Sequence, residues 1–324
     1  MKDLILVTGS TGFIATQTVL RLLDEGYRVR GTVRSQKKGD ALRKLVASYR
    51  DDAPLEIAVA DLLEDEGWSA AMKGCDGLFH MASPFPGGDI EDEDKLLAPA
   101  VEGTERVLKA AKAAGIPRAV LTSSVAAVAY GVPTRPNGVF TEKDWSDPQG
   151  DGISTYAKSK VLAERKAWDV VADGGPALTT INPSLVLGPM IEDDHGTSIG
   201  MIRSLLSGEM DKIPAAAFGI VDVRDVVSAH IKAFEMDSAK GERFIVSDAF
   251  MTMEEVVADL RNAYPSLSEH FPTELEDGAI EHRVPSAKKA SETLGIEFTP
   301  ASHAIVATAQ CLIDRKLVDA PVAR

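Results

Sequence analysis

Short, wholly apolar runs alternate with amphipathic segments through the first half of the chain. Residues 4–7, 28–33, 55–61, 77–82, 118–123 and 177–187 read as strands. Between them, apolar positions at helical spacing predict helices over 12–24, 40–49, 65–73, 94–114 and 154–171. Strands apolar on both faces, with helices between them, need a parallel sheet covered on both sides. The fold class is therefore α/β with a doubly wound parallel sheet. Beyond Pro183 the rhythm loosens: helices are predicted over 222–236, 253–263 and 303–315, and a short strand over 242–246. We read residues 1–183, with returns near 218–237, as the sheet domain. Residues 184–324 make mainly a smaller C-terminal substrate lobe over the sheet's carboxyl edge.

Charge narrows the partners. With 35 Lys and Arg against 49 Asp and Glu, the net charge is −14. Nucleic acid and anionic membranes reward basic surfaces, so a small-molecule substrate is favoured. The acidic run 89–94 reads as a solvated loop leading into a helix. No apolar stretch reaches membrane-spanning length, and Met1-Lys2-Asp3 runs directly into a strand without an export-signal core. Two cysteines, Cys75 and Cys311, show no pairing pattern, as expected of reduced thiols. These features lead us to expect a cytoplasmic protein. The six histidines have no HxxxH or HExxH spacing, so no metal site is expected.

The first predicted strand empties into Thr8-Gly9-Ser10-Thr11-Gly12-Phe13-Ile14-Ala15. A glycine turn that opens a helix lets backbone N–H groups approach a pyrophosphate, and the helix N-terminus adds partial positive charge. Gly9 permits the turn, and Gly12 removes a side chain that would block the phosphates. This is the context of a Rossmann-type dinucleotide site. An NAD site usually has an acid at the end of the second strand. Here that position is followed by Arg34, Lys37 and Lys38, and residues 28–44 hold seven Lys or Arg against Asp40 alone. Guanidinium and phosphate make strong charge-assisted bonds, so the expected cofactor is NADP(H), with Arg34 on its 2′-phosphate. Asp61, with Leu62 beside it, reads either as a partner of the adenine amino group or as a cap for the following helix.

Tyr156 and Lys160 are four residues apart, on one face of a predicted helix. Ser123 and Ser124 end a central strand, where α/β sheets place their chemistry. Hydride delivered to a carbonyl carbon leaves an alkoxide, which needs a proton and an oxyanion partner. A phenol titrates near ~10. An ammonium ~4 Å away, worth about 4 kcal/mol at an effective dielectric of ~20, is expected to draw it toward neutrality. Ser124 is expected to orient the substrate oxygen. Phe85 and Tyr130 are candidate lining residues for the substrate, and residues 191–198 a candidate lid. His80, at a strand end, reads as a satisfied core residue.

Together these stretches resemble the extended short-chain dehydrogenase/reductases, in particular the dihydroflavonol reductase, cinnamoyl-CoA reductase and yeast-type methylglyoxal (carbonyl) reductase group. The matching runs are VTGSTGFIA (7–15), GTVRSQKK (31–38), ADLLED (60–65), FHMASPF (79–85), VLTSSVAAV (120–128), YAKSK (156–160) and INPSLVLGP (181–189), with GIVDVRDVVSAHIKAFE (219–235) further on. The resemblance implies Ser124, Tyr156 and Lys160 as catalytic residues, with Lys160 also on the nicotinamide ribose. It implies cofactor contacts from Phe13, Ile14, Arg34, Lys38, Asp61, Leu62, Met81, Ala82 and Ser83, with Pro183 beside the nicotinamide. Two departures stand out. Flavonoid reductases of the group carry asparagine where this chain has Ala129, and the asparagine-tryptophan-tyrosine run of the cinnamoyl-CoA branch is missing. The expected activity is NADPH-dependent reduction of an aldehyde or ketone. The alternatives are an epimerase-like enzyme with bound NAD and a non-catalytic NADP(H) sensor.

Overall fold

In a computed structural model of the chain, residues 2–50, 53–83, 93–135, 137–193 and 196–318 are described. The elements run β1 (Leu4–Val7), α1 (Phe13–Asp24), β2 (Arg28–Val33), α2 (Gln36–Tyr49), β3 (Leu55–Val59), α3 (Trp68–Met72), β4 (Gly77–His80) and α4 (Asp94–Ala113). They continue with β5 (Arg118–Thr122), β6 (Val139–Phe140), α5 (Thr155–Ala172), β7 (Ala177–Pro183), β8 (Leu185–Leu187), α6 (Thr197–Leu206), β9 (Ala217–Asp222) and α7 (Val223–Glu235). The chain closes with β10 (Arg243–Val246), β11 (Ala249–Thr252), α8 (Met253–Ala263), β12 (Val284–Pro285), α9 (Lys288–Leu294) and α10 (Ala301–Asp314).

Seven parallel strands form the main sheet in the order β10-β7-β5-β4-β1-β2-β3. Period-two alternation within fully buried strands feeds two separate cores. Ile5 and Val7 of β1 point into a cluster with α1, α2 and α7. Leu4 and Leu6 point into the opposite cluster, with Trp68 of α3, Val107 and Leu108 of α4, and Ala167 of α5. Each such Ile, Leu or Val side chain, taken fully out of water, contributes ~1.5–3 kcal/mol. The expected Rossmann-type, doubly wound sheet is thus present. The strand order reverses between β1 and β4, and the crevice above their carboxyl ends is where open α/β sheets bind ligands.

A second, three-stranded sheet (β11-β9-β8) carries its own apolar cluster. Ile202 and Leu205 of α6, Val256 and Leu260 of α8, and Ile305 and Leu312 of α10 pack there around Leu187 and Ile220. The expected strand over 177–187 divides at Ser184. Its N–H bonds Val246 of β10 at 3.0 Å; the chain then leaves the main sheet, and β8 pairs with β9 instead. Pro183 closes β7 because it has no N–H to extend the ladder. Helix α2 begins four residues earlier than expected, capped by Ser35, whose hydroxyl accepts from Lys38 N. Helix α3 shrinks to Trp68–Met72 because Gly67, at φ +90°, delays its start. No helix among the described residues is long and apolar enough to cross a membrane.

Candidate active site

The turn after β1 is tied down before α1 begins. The buried Thr8 hydroxyl accepts from the N–H groups of Met81 (3.0 Å) and Ala82 (2.9 Å), both just beyond β4. With its lone pairs taken, that hydroxyl donates to Nδ1 of His80 at 2.8 Å. Gly9 donates to the Thr32 hydroxyl at 3.1 Å, which braces the turn against β2. Gly9 has φ +63°, and a Cβ there would sit 2.9 Å from Ala82 Cα, so both conformation and space demand glycine. Gly12 differs. Its φ is ordinary, and a Cβ there would meet only Gly9 O at 3.4 Å. Nothing among the described residues requires a glycine at position 12.

Gly12 caps α1 without a capping side chain, and the first turn has no acid. The leading N–H groups of α1 therefore face the cleft as free donors, suited to a pyrophosphate. Gly12 is where a side chain would fill that cradle. The structure thus fits a dinucleotide by its own geometry.

From this loop a cleft of about 320 Å³ runs along the carboxyl ends of β1, β4, β5 and β7. It brings together Gly9, Gly12, Phe13, Ile14, Met81, Ser83, Ser124, Tyr156, Lys160 and Pro183, all singled out from the sequence. Ala82 backs onto Gly9 instead. Arg34 and Lys38 are exposed at the end of β2 and in the first turn of α2, with no side-chain partner among the described residues. Asp61 lies two residues past β3 and accepts from Leu63 N at 3.0 Å, a local turn cap. Leu62 packs against Gly103 of α4. Not all of the basic segment is free: Arg30 is tied to Glu56 and to the carbonyls of Ala71 and Lys73.

At the far end of the cleft, the Tyr156 hydroxyl hydrogen-bonds Ser124. Ser124 follows β5, and its Oγ also accepts from Ala126 N at 3.1 Å. Lys160 is buried (7% exposed); its Nζ donates to Ser83 Oγ at 2.9 Å and lies 5.4 Å from the centre of the Tyr156 ring. The expectation of a phenol drawn toward neutrality is not met here. Burial pushes Tyr156 up to about 12 against the opposing pull of the Ser124 hydrogen bond, and burial lowers Lys160 to about 8. An ammonium turned toward Ser83, at this distance, does not overcome the desolvation of the phenol.

A second cleft of about 350 Å³ adjoins the first and shares Ser124, Tyr156, Ser184, Thr197 and Ser198 with it. Its walls add Val125, Ala126, Tyr130, Leu185 and Phe218. Tyr130, a candidate lining residue, borders this cleft, and Phe85 lies outside the described residues. Ala129 is buried with Val128 and Phe140, away from the cleft, so the missing asparagine does not shape this wall. Ser184, Leu185 and Phe218 were not anticipated as lining residues, whereas Thr197 and Ser198 end the candidate lid segment. Ser184 is the residue between β7 and β8, and Leu185 and Phe218 lie in β8 and β9, short strands that single-chain periodicity does not resolve. Of the candidate lid, residues 194 and 195 lie outside the described residues, as do 89–92 of the acidic run. Arg315 holds the start of the candidate lid segment by donating to the carbonyls of Ile191 and of the preceding Met190 (3.3 Å) and pairing with Asp193 at 3.0 Å.

His80 departs from expectation. Its Nδ1 is satisfied, but the buried Nε2 has no partner among the described residues. Burial, aided by the nearby Lys160 charge, holds the ring neutral, with its pKa down at about 3. No group of three or more His, Cys, Asp or Glu among the described residues is placed to hold a metal ion.

Comparison with known proteins agrees with this geometry. Residues 5–247 match the NAD dependent epimerase/dehydratase family. The chain belongs to this family, the extended short-chain dehydrogenase/reductases. It is 38% identical to "Cinnamoyl-CoA reductase CAD2" of Medicago truncatula, over 98% of each chain. It is 36% identical to "Tetraketide alpha-pyrone reductase 1" of Arabidopsis thaliana, over 82% of each. The solved structure of yeast methylglyoxal/isovaleraldehyde reductase Gre2 complexed with NADPH superposes with a TM-score of 0.86 at 32% identity, covering 97% of this chain and 100% of that one.

Proposed function

We propose that this member of the family is an NADP(H)-dependent oxidoreductase that reduces an aldehyde or ketone to the alcohol. The observation that carries the reading is the Ser124–Tyr156 hydroxyl contact, with Lys160 buried beside it, in a cleft whose other end is the phosphate loop. The reductase relatives, and the yeast structure that holds NADPH, support it.

Bound NADPH supplies the hydride. The pyrophosphate would rest on Gly9, Gly12, Phe13 and Ile14, the 2′-phosphate on Arg34 and Lys38, and the adenine beside Asp61 and Leu62. Met81, Ala82, Ser83 and Pro183 would line the nicotinamide half, and Lys160 would hold its ribose. Ser124 donates to the substrate oxygen and orients it. Tyr156 delivers its proton to that oxygen as the C–H bond forms. A phenol held near 12 is fully protonated at neutral pH, and the alkoxide it faces is far more basic, so the arrangement favours reduction. Lys160, still charged below its pKa of about 8, stabilises the phenolate left behind.

The adjoining cleft narrows the substrate. Among the described residues none that lines it is Arg, Lys, His, Asp or Glu, and its apolar wall combines with the hydroxyls of Ser154, Ser184 and Ser198. It suits an uncharged arm of aromatic or branched aliphatic character. An NAD-retaining epimerase lacks support at the end of β2, where Arg34 stands in place of an acid.

The test is an NADPH-consumption screen over aldehydes, α-diketones, β-ketoesters and aryl ketones. Tyr156→Phe is expected to lower kcat by about 10²–10⁴ while still binding NADPH. NADPH binding without turnover of any carbonyl would favour the sensor instead.

A further inference from the structure

One helical turn beyond Lys160, on the face that carries Tyr156 and Lys160, lies Glu164, a fully buried carboxylate that the hydride-transfer scheme does not use. Its two oxygens have separate partners. Oε1 accepts from Arg243 Nε (2.6 Å) and the Thr180 hydroxyl (3.0 Å). Oε2 accepts from the Ser123 hydroxyl (2.5 Å) and from Asn182 Nδ2 (2.7 Å). The same Asn182 Nδ2 donates its other hydrogen to the carbonyl of Ser124 at 3.1 Å. Asn182 is itself fully buried, at the end of β7.

Both groups facing that amide nitrogen, the Glu164 carboxylate and the Ser124 carbonyl, are acceptors only. The amide can therefore sit in just one of its two orientations. We propose that Glu164 is a positioning residue: through Asn182 it fixes the Ser124 peptide, and so aims the Ser124 hydroxyl at Tyr156 and the substrate oxygen. The inference rests on the reductase reading above. It joins the catalytic helix α5 to the ends of β5 and β7 through one carboxylate, with Arg243 from β10 supplying the compensating charge. A buried carboxylate meant only to balance Arg243 would not need a second oxygen committed to Asn182 and Ser123.

Glu164→Gln isolates the charge. Arg243 has only donors, so the glutamine oxygen must take the Oε1 place, and its NH₂ then faces Asn182. Asn182 can answer only by turning its own oxygen inward, against the Ser124 carbonyl, and the relay is lost. The expected result is a kcat lower by roughly 10- to 100-fold, the scale of a small misplacement of a reacting group. NADPH affinity, read by nucleotide fluorescence, should stay within about 2-fold. In a Ser124→Ala background, Glu164→Gln should cost less than about 2-fold more, because the group it aims is already gone.

Asn182→Ala leaves the Glu164–Arg243 pair in place and carries the same test if Glu164→Gln does not fold. It should reproduce both the kcat loss and the non-additivity with Ser124→Ala. Losses that multiply in the double variants, or a lowered melting temperature with unchanged kcat in the folded protein, would overturn the relay while leaving the reductase reading intact. A Ser124→Ala protein with undiminished turnover would overturn the reading itself, and the relay with it.

Discussion

Arg34 stands just past β2 with an exposed guanidinium and no partner among the described residues, whereas Arg30, four residues earlier, is spent on Glu56 and the Ala71 and Lys73 carbonyls. Free and bound guanidiniums alternate along the same basic run, and only the free ones are available to a 2′-phosphate. A hydrogen bond to a charged group contributes ~1.5–3 kcal/mol, so Arg34→Ala should raise the KM for NADPH by about 10- to 100-fold. The KM for NADH, which has no 2′-phosphate, should barely move; equal rises would refute the assignment. Lys160 gives the second prediction at this scale. Burial lowers its pKa to about 8, so the cation that steadies the Tyr156 phenolate is lost as pH rises through that value. The kcat/KM for carbonyl reduction should be level near neutrality and fall above about pH 8. A profile flat to pH 10 would mean that the ammonium does not serve this step.

The phosphate turn separates two reasons for glycine that look alike in a sequence. Gly9→Ala meets both a left-handed φ of +63° and Ala82 Cα at 2.9 Å, so it should destabilise the fold and lower the melting temperature. Gly12→Ala meets only Gly9 O at 3.4 Å, so its melting temperature without nucleotide should stay near that of the parent. Its NADPH affinity should drop, because the new methyl enters the cradle at the head of α1. Equal thermal losses in the two variants would remove the argument that position 12 is kept open for a ligand. The same turn shows why so much of the site was readable. A loop between a strand and a helix fixes its neighbours by chain connectivity, and Ser124 and Tyr156 follow from a strand end and a helix start in the same way. What escaped depends on pairing between distant segments. The break at Ser184 shows only once β8 pairs with β9 instead of the main sheet, the short strands β6, β9, β11 and β12 have two to six residues each, and Phe218 reaches the second cleft from β9, which lies between β8 and β11. Glu164 carried a local signal, the i, i+4, i+8 spacing from Tyr156, but its partners Thr180, Asn182 and Arg243 come from two other strands.

At the scale of the whole molecule, buried histidines join the layers of the fold and set its tolerance of acid. His80 accepts the Thr8 hydroxyl and so links β4 to β1. His230 on α7 donates from Nδ1 to the Val226 carbonyl at 2.7 Å and accepts from the Thr122 hydroxyl at 2.7 Å, which links that helix to β5. Both rings are buried, and desolvation is the main cause that holds their pKa values down, at about 3 and about 4 against an ordinary 6.5. An unfolded chain takes up these two protons as pH falls through 6.5, whereas the folded chain refuses them until about 4. Between those values the unfolded state binds more protons, so stability decreases as pH decreases, by up to about 1.4 kcal/mol per site per pH unit. Urea midpoints should therefore decline steadily from pH 6.5 to 4.5, before most carboxylates titrate. His230→Gln removes one of the two titrations. It should lower stability at pH 7, where the ring's hydrogen bonds are lost, yet roughly halve the slope of unfolding free energy against pH in that window. An unchanged slope in that variant would show that acid acts on this fold through other groups.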